Sequence, residues 1–264
     1  MQKVKAYKIA VIVLSALVVI QAVAIILMAA KPEFKWPKPT PPAPLVKAKI
    51  AIVIDDWGYN LANMEITRQI KYPLTMSVLP ELPYSRRVAE ELRGMGFEII
   101  LHLPMQPREK YHLEKNTIMI SMSEAAIKKI LDKDLTGIPY VKGVSNHMGS
   151  AATADSRTMQ IVFKELKKRQ LYFFDSFVHP KSICLDLAEK MGLRFAKRDV
   201  FLDNKEEYAY IAKQMHKLKM RARVKGWAIG VGHDRSMTLA ILKELMPQME
   251  KEGYKFVFLS ELVK

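Results

Sequence analysis

The chain has 264 residues, half of them apolar, which suffices for one large domain with a sizeable core and excludes disorder for most of its length. Forty-two basic against 27 acidic residues leave a net charge of +15; residues 1–49 supply +7 of it, from eight lysines and one acid, Glu33. A single cysteine, Cys184, excludes an intramolecular disulfide and a cysteine-rich metal site while leaving the compartment open.

Residues 9–30 form an apolar run broken only by Ser15 and Gln21. At 1.5 Å per residue it spans about 33 Å, matching a hydrocarbon core of about 30 Å. Lys3, Lys5 and Lys8 precede it without an acid. The positive-inside rule then predicts a cytoplasmic tail over residues 1–8 and one membrane-spanning helix over 9–30. Everything after it would lie outside the cytoplasm, in a periplasm or at the cell surface. The competing reading is a cleaved signal peptide ending near Ala22-Val23-Ala24, whose apolar region would ordinarily be shorter. Residues 31–49 carry six prolines between Pro32 and Pro44. Such density forbids helix and sheet ladders and predicts an extended linker.

From residue 50 onward, short apolar runs alternate with longer helical patterns. Strands are predicted at 50–54, 75–79, 98–103, 171–174, 227–231 and 256–259, with weaker ones at 140–145 and 193–196. Helices are predicted at 84–93, 123–133, 155–169, 205–223 and 236–252, with Ser123 and Asp155 as starts. Alternation of this kind implies an α/β fold with parallel pairing. Seven or eight units favour a closed or nearly closed (β/α) barrel over an open doubly wound sheet. The first strand leads into Asp55-Asp56-Trp57-Gly58, which lacks a glycine-rich phosphate loop and disfavours a dinucleotide or P-loop site.

In a parallel barrel the chemistry collects at the carboxyl ends of the strands. Those ends carry Asp55 and Asp56, His102, Asn146 and His147, Asp175, and His233 with Asp234. His112, His179 and His216 fall in loop or helix positions instead. Carboxylates and three histidines at one rim are the donor set of a divalent-metal hydrolytic centre, with Zn²⁺ suited to imidazole and carboxylate. Taken singly, each also has a bland reading: a helix cap for the aspartates, a satisfied core histidine for His102.

At these residues the chain resembles the divergent polysaccharide deacetylase family, within the NodB-like carbohydrate esterases. The matching stretches are IAIVIDDWGY (50–59), EIILHLPMQP (98–107), GVSNHMGSAATAD (143–155), LYFFDS (171–176), RDVFLDN (198–204) and AIGVGHD (228–234). The resemblance implies a NodB-type (β/α) barrel of about seven parallel strands over residues 50–264. It implies a hydrolase acting on an N-acetylated glycan such as peptidoglycan. By the same resemblance Asp55 stands at the catalytic base and Asp56 and His102 at metal ligands. His147 is assigned as the third ligand, because Leu103-Pro104-Met105-Gln106-Pro107 lacks the second histidine usual in deacetylases. His233 corresponds to a catalytic histidine and Asp175 to the residue that orients it. Phe177-Val178 after Asp175-Ser176, and Asp234 after His233, depart from the family's usual residues.

The expected reaction is amide hydrolysis with a divalent cation, most simply Zn²⁺, on Asp56, His102 and His147. Asp55 would take a proton from water and His233 would give one to the leaving amine. Arg198, Asp199 and Asp203 are candidate supporting residues, Arg198 by pairing a rim carboxylate, though a structural ion pair accounts for them equally. Trp57 either stacks on a sugar or packs at the rim. Residues 213–225 hold six basic residues and no acid, but little aromatic interleaving, so a solvated helix face is preferred and no nucleic-acid partner is expected. The expected partners are a cell-envelope polysaccharide and the membrane. Two other readings stand: a barrel that binds glycan without turnover, and a metal hydrolase of another substrate.

Overall fold

The computed structural model describes residues 2–29 and 46–264. Helix α1 (Gln2–Ala29) is long and apolar enough to cross a membrane, as a signal sequence also would be. Most of the proline-rich linker expected over 31–49 lies outside the described residues, and its last two residues belong to the first strand.

The remaining elements run β1 (Ala48–Trp57), α2 (Met64–Arg68), β2 (Thr75–Val78), α3 (Ser85–Gly94), β3 (Glu98–Met105), α4 (Glu124–Gly137), β4 (Val141–Met148), α5 (Ser156–Lys168), β5 (Tyr172–Asp175), α6 (Cys184–Met191), β6 (Phe195–Lys197), β7 (Val200–Phe201), α7 (Tyr208–Lys225), β8 (Trp227–His233), α8 (Ser236–Lys251) and β9 (Tyr254–Phe256). The predicted caps are present: Ser123 Oγ accepts from Ala126 N at 3.2 Å and Asp155 Oδ1 from Thr158 N at 2.7 Å. Two short helices, α2 and α6, and the two-residue β7 were not anticipated, being too short to show a period.

All strands pair in parallel in one nine-stranded sheet of order β6-β5-β4-β3-β2-β1-β8-β7, with β9 on the lower half of β1. The sheet curls into an incompletely closed (β/α) barrel, as expected, with the short β7 and β9 added to about seven main strands. Its two ends are joined by a single crossing segment: Arg198 N donates to Asp175 O and Asp199 N to Ile229 O.

Two cores follow from strand alternation. Ile50, Ile52 and Ile54 face the outer helices, whereas Ala51 and Val53 join Ile100, Tyr172, Phe174, Ile229 and Val231 inside the barrel. The last predicted strand stops early because the chain turns inward at the base. Val257, Leu259 and Leu262 enter the inner core, Leu259 N donates to Thr75 Oγ1 (3.0 Å) and Ser260 N to Glu98 Oε1 (3.2 Å). Glu98 Oε1 also accepts from Thr75 Oγ1 and Tyr172 Oη, which satisfies a carboxylate that would be costly to bury alone.

Asp134 on α4 is buried, with no partner at Oδ2 and only a 3.4 Å contact from Asn116 at Oδ1. Burial pushes its carboxyl up from 3.8 to about 7. The folded chain therefore keeps a proton that the unfolded chain releases, and stability falls as pH rises between those two values. Asp134→Asn should raise stability at about pH 8 by about 2 kcal/mol and change it little at about pH 4, measured by denaturant unfolding.

Candidate metal centre

The inward files of the strands end at the barrel mouth. Two positions beyond Val53, Ile100 and Val231 stand Asp55, His102 and His233, so plain alternation delivers these three side chains to one place. By the same rule Asp56 would point outward. It does not, because its backbone takes φ 68° and the β1–β2 register shifts between Ile54 and Trp57. Aspartate is among the few residues that tolerate this left-handed conformation. The turn brings a second carboxylate to the mouth and sends Trp57 into the outer core, where it is fully buried. Trp57 is thus unavailable to stack on a sugar and packs in the outer core rather than at the rim.

Asp56, His102 and His147 come together, one ligand atom from each lying within 4.8 Å of the others. Asp56 Oδ1 is 3.3 Å from His102 Nε2 and 3.1 Å from His147 Nδ1, and the two ring nitrogens are 3.3 Å apart. His102 is aimed by its other nitrogen, which shares a 2.7 Å hydrogen bond with Ser145 Oγ; Ser145 is held in turn by Ser77 Oγ at 2.7 Å. Such support behind a donor nitrogen is typical of metal-binding imidazoles. Burial alone would raise the Asp56 carboxyl, but hydrogen bonds and charge from His102 and His147 outweigh it and hold it well below the carboxylate range. Two imidazoles and an ionised carboxylate fit a divalent cation with room for further ligands.

Asp55 sits beside this cluster, 2% exposed, its Oδ1 3.7 Å from His102 Nδ1 and without a hydrogen-bond partner. Burial raises its carboxyl, an effect that His102 and His233 partly offset.

His233 is oriented by Asp203, not by Asp175. Nδ1 lies 2.8 Å from Asp203 Oδ1, and Asp203 Oδ2 accepts from His233 N (2.8 Å) and Thr238 Oγ1 (2.7 Å). Phe201 stacks on the imidazole at 5.4 Å, with the Arg198 guanidinium 4.1 Å from the Phe201 ring centroid. Burial pulls the imidazole down, but Asp203 more than compensates and raises its pKa. Asp175 shares its outward face with Phe173. Its carboxylate accepts from Phe177 N at 2.7 Å and Ser182 Oγ at 2.6 Å.

The other expected supporting residues shape the scaffold. Arg198 pairs no rim carboxylate and instead donates to the carbonyls of Ser176 (2.6 Å) and Phe177 (2.8 Å). Asp199 binds Ile229 N (2.9 Å) and Lys225 Nζ (3.4 Å), four residues before His233 on the strand and so below the mouth. Asn146 accepts from Ser176 N (2.9 Å) and donates to Met148 O (2.7 Å), tying the β4 and β5 ends together. Ser77, Ser145 and Phe201 went unnoticed in the sequence. Ser145 was findable, lying two positions before His147 on the same file.

The model of the divergent polysaccharide deacetylase family matches residues 52–263. The chain belongs to this family. It is 35% identical over 204 residues to the uncharacterized protein YibQ of Escherichia coli K12, covering 77% of this chain and 64% of that protein. It thus spans somewhat under two thirds of that relative's length. Among solved structures, an uncharacterized protein from Agrobacterium tumefaciens C58 superposes with TM-score 0.79 at 23% identity, over 86% of this chain and 92% of the other. A CE4 family pseudoenzyme from Bacillus anthracis superposes with TM-score 0.50 at 15% identity, over 84% and 69%. These two likenesses are of fold, and with the family match they make the architecture NodB-like.

In an NMR titration of the His233 ring, Asp203→Asn should move the midpoint to lower pH, since the carboxylate is what raises it. Asp175→Asn should leave that midpoint where it is.

Proposed function

We propose that this protein is a membrane-tethered, exported hydrolase that removes acetyl groups from an N-acetylated cell-envelope polysaccharide, with peptidoglycan the leading case. The observation that carries this reading is the juxtaposition of Asp56, His102 and His147 with a second, buried carboxylate, Asp55, in a chain of this family. Asp56, His102 and His147 would hold a divalent cation, zinc being the best match to two nitrogens and a carboxylate oxygen. Such an ion supplies Lewis acidity toward an amide carbonyl and toward water.

The protein's own residues divide the proton transfers. Asp55 takes the proton of a water whose oxygen attacks the acetamide carbon; positive charge in the neighbouring cluster favours its ionised form. His233 keeps a proton because Asp203 stabilises the imidazolium, and delivers it to the amine nitrogen as the C–N bond breaks. Acetate and a free amino sugar result. Helix α1 supports the tether by its length and apolarity.

The test begins with metal content. The purified chain should carry near-stoichiometric zinc, lost in both His102→Ala and His147→Ala. His233→Ala should keep the metal and lower amine release from acetylated glycans by about 100-fold or more. Loss of metal in His233→Ala would make His233 a ligand, and bound metal without any amine release would leave a glycan-binding barrel.

A further inference from the structure

At the base of the barrel, unbalanced positive charge gathers at one helix end. Every domain helix delivers the chain to the base of a strand, and every one except α4 carries lysine or arginine in its last turn. Five of those ends also hold a glutamate within four residues (Glu65, Glu91, Glu165, Glu189 and Glu250), so the basic end without an acid is that of α7, while Asp55, Asp56, Asp203 and Asp234 lie at the mouth.

The end of α7 stands out on this base. Val224 is 87% exposed and Met220 41% exposed, both set among the exposed Arg221, Arg223 and Lys225. Trp227 follows at once, half-buried in a cleft of about 620 Å³ walled by Leu193, Phe195 and Leu262, with Lys225 Nζ 3.3 Å from its ring centroid. A soluble polyanion would be served by the cations alone. Exposed apolar tips among cations, with an aromatic ring a few residues on in the sequence, are what a headgroup and acyl-chain boundary accommodates. The chain also enters the domain at this end: Lys49 pairs in register with Trp227, and its N–H donates to Gly226 O.

We infer that the base of the barrel, centred on Met220, Val224 and Trp227, docks on an anionic phospholipid surface. The inference rests on α1 being a membrane anchor, which keeps the domain at high local concentration near lipid. Docking by this end points the mouth away from the bilayer.

The full chain, carrying Trp36→Phe so that Trp227 is the accessible tryptophan, is placed in nanodiscs containing lipids with a headgroup-level spin label. Quenching should be about twofold or more greater in discs with phosphatidylglycerol than in phosphatidylcholine alone, and should fall with added salt. The difference should vanish in Arg221→Glu with Arg223→Glu. Both side chains are exposed and make no hydrogen bond or ion pair among the described residues, so folding should be unaffected. Equal quenching in both discs would overturn docking, as would none in either. No quenching, together with shielding of Trp227 from acrylamide by a soluble acidic polysaccharide, would assign the base to an envelope polymer instead. Failure of the chain to stay with either kind of disc would overturn the anchor itself. Lipid quenching is read without turnover, so neither result depends on hydrolase activity.

Discussion

The left-handed backbone of Asp56 is the constraint on which the rest of the mouth depends. A regular strand shows only alternate residues to one face, so a straight β1 would give the mouth a single carboxylate. The turn at Asp56 gives it two in succession and removes Trp57 to the helix layer. Such a conformation costs a non-glycine residue about 1–2 kcal/mol. Hydrogen bonds from His102 and His147 to the same carboxylate oppose that cost, and the Ser145–Ser77 pair keeps His102 in position to make its share.

That arrangement also separates two chemically identical neighbours. Asp56 has imidazoles on its carboxylate and is held low, whereas Asp55 is enclosed with an unpartnered oxygen and is pushed high. Adjacent groups driven in opposite directions by their surroundings are suited to different tasks. The Asp203–His233 pair is built separately, on the end of β8 and the loop after β7. A change in that pair can therefore shift the titration of His233 without disturbing the three clustered side chains.

Much of this was legible in the residues, and the failures have specific causes. The strand runs, the two capped helices and the strand-end polar residues followed from period and punctuation. The partner of His233 did not. Asp175 came from the resemblance, and Tyr172-Phe173-Phe174, aromatic throughout, offers no alternation to show that it faces outward. The correct residue, Asp203, follows a strand of two residues, below the length at which alternation can be read. Trp57 could be read as a sugar platform or as rim packing, but not as core, because no glycine marks the left-handed turn before it.

The inner core is completed by residues from the far end of the chain. Val257, Leu259 and Leu262 fill it, Lys264 exchanges backbone hydrogen bonds with Phe195, and β1 has β8 along one edge. These contacts join segments separated by most of the domain, a topology that slows folding because loop closure must precede the reward. Closure consequently waits on the segment that follows α8. Until the final segment arrives, the sheet has neither its base plug nor the β9 partner of its first strand, and no early helix can substitute for them.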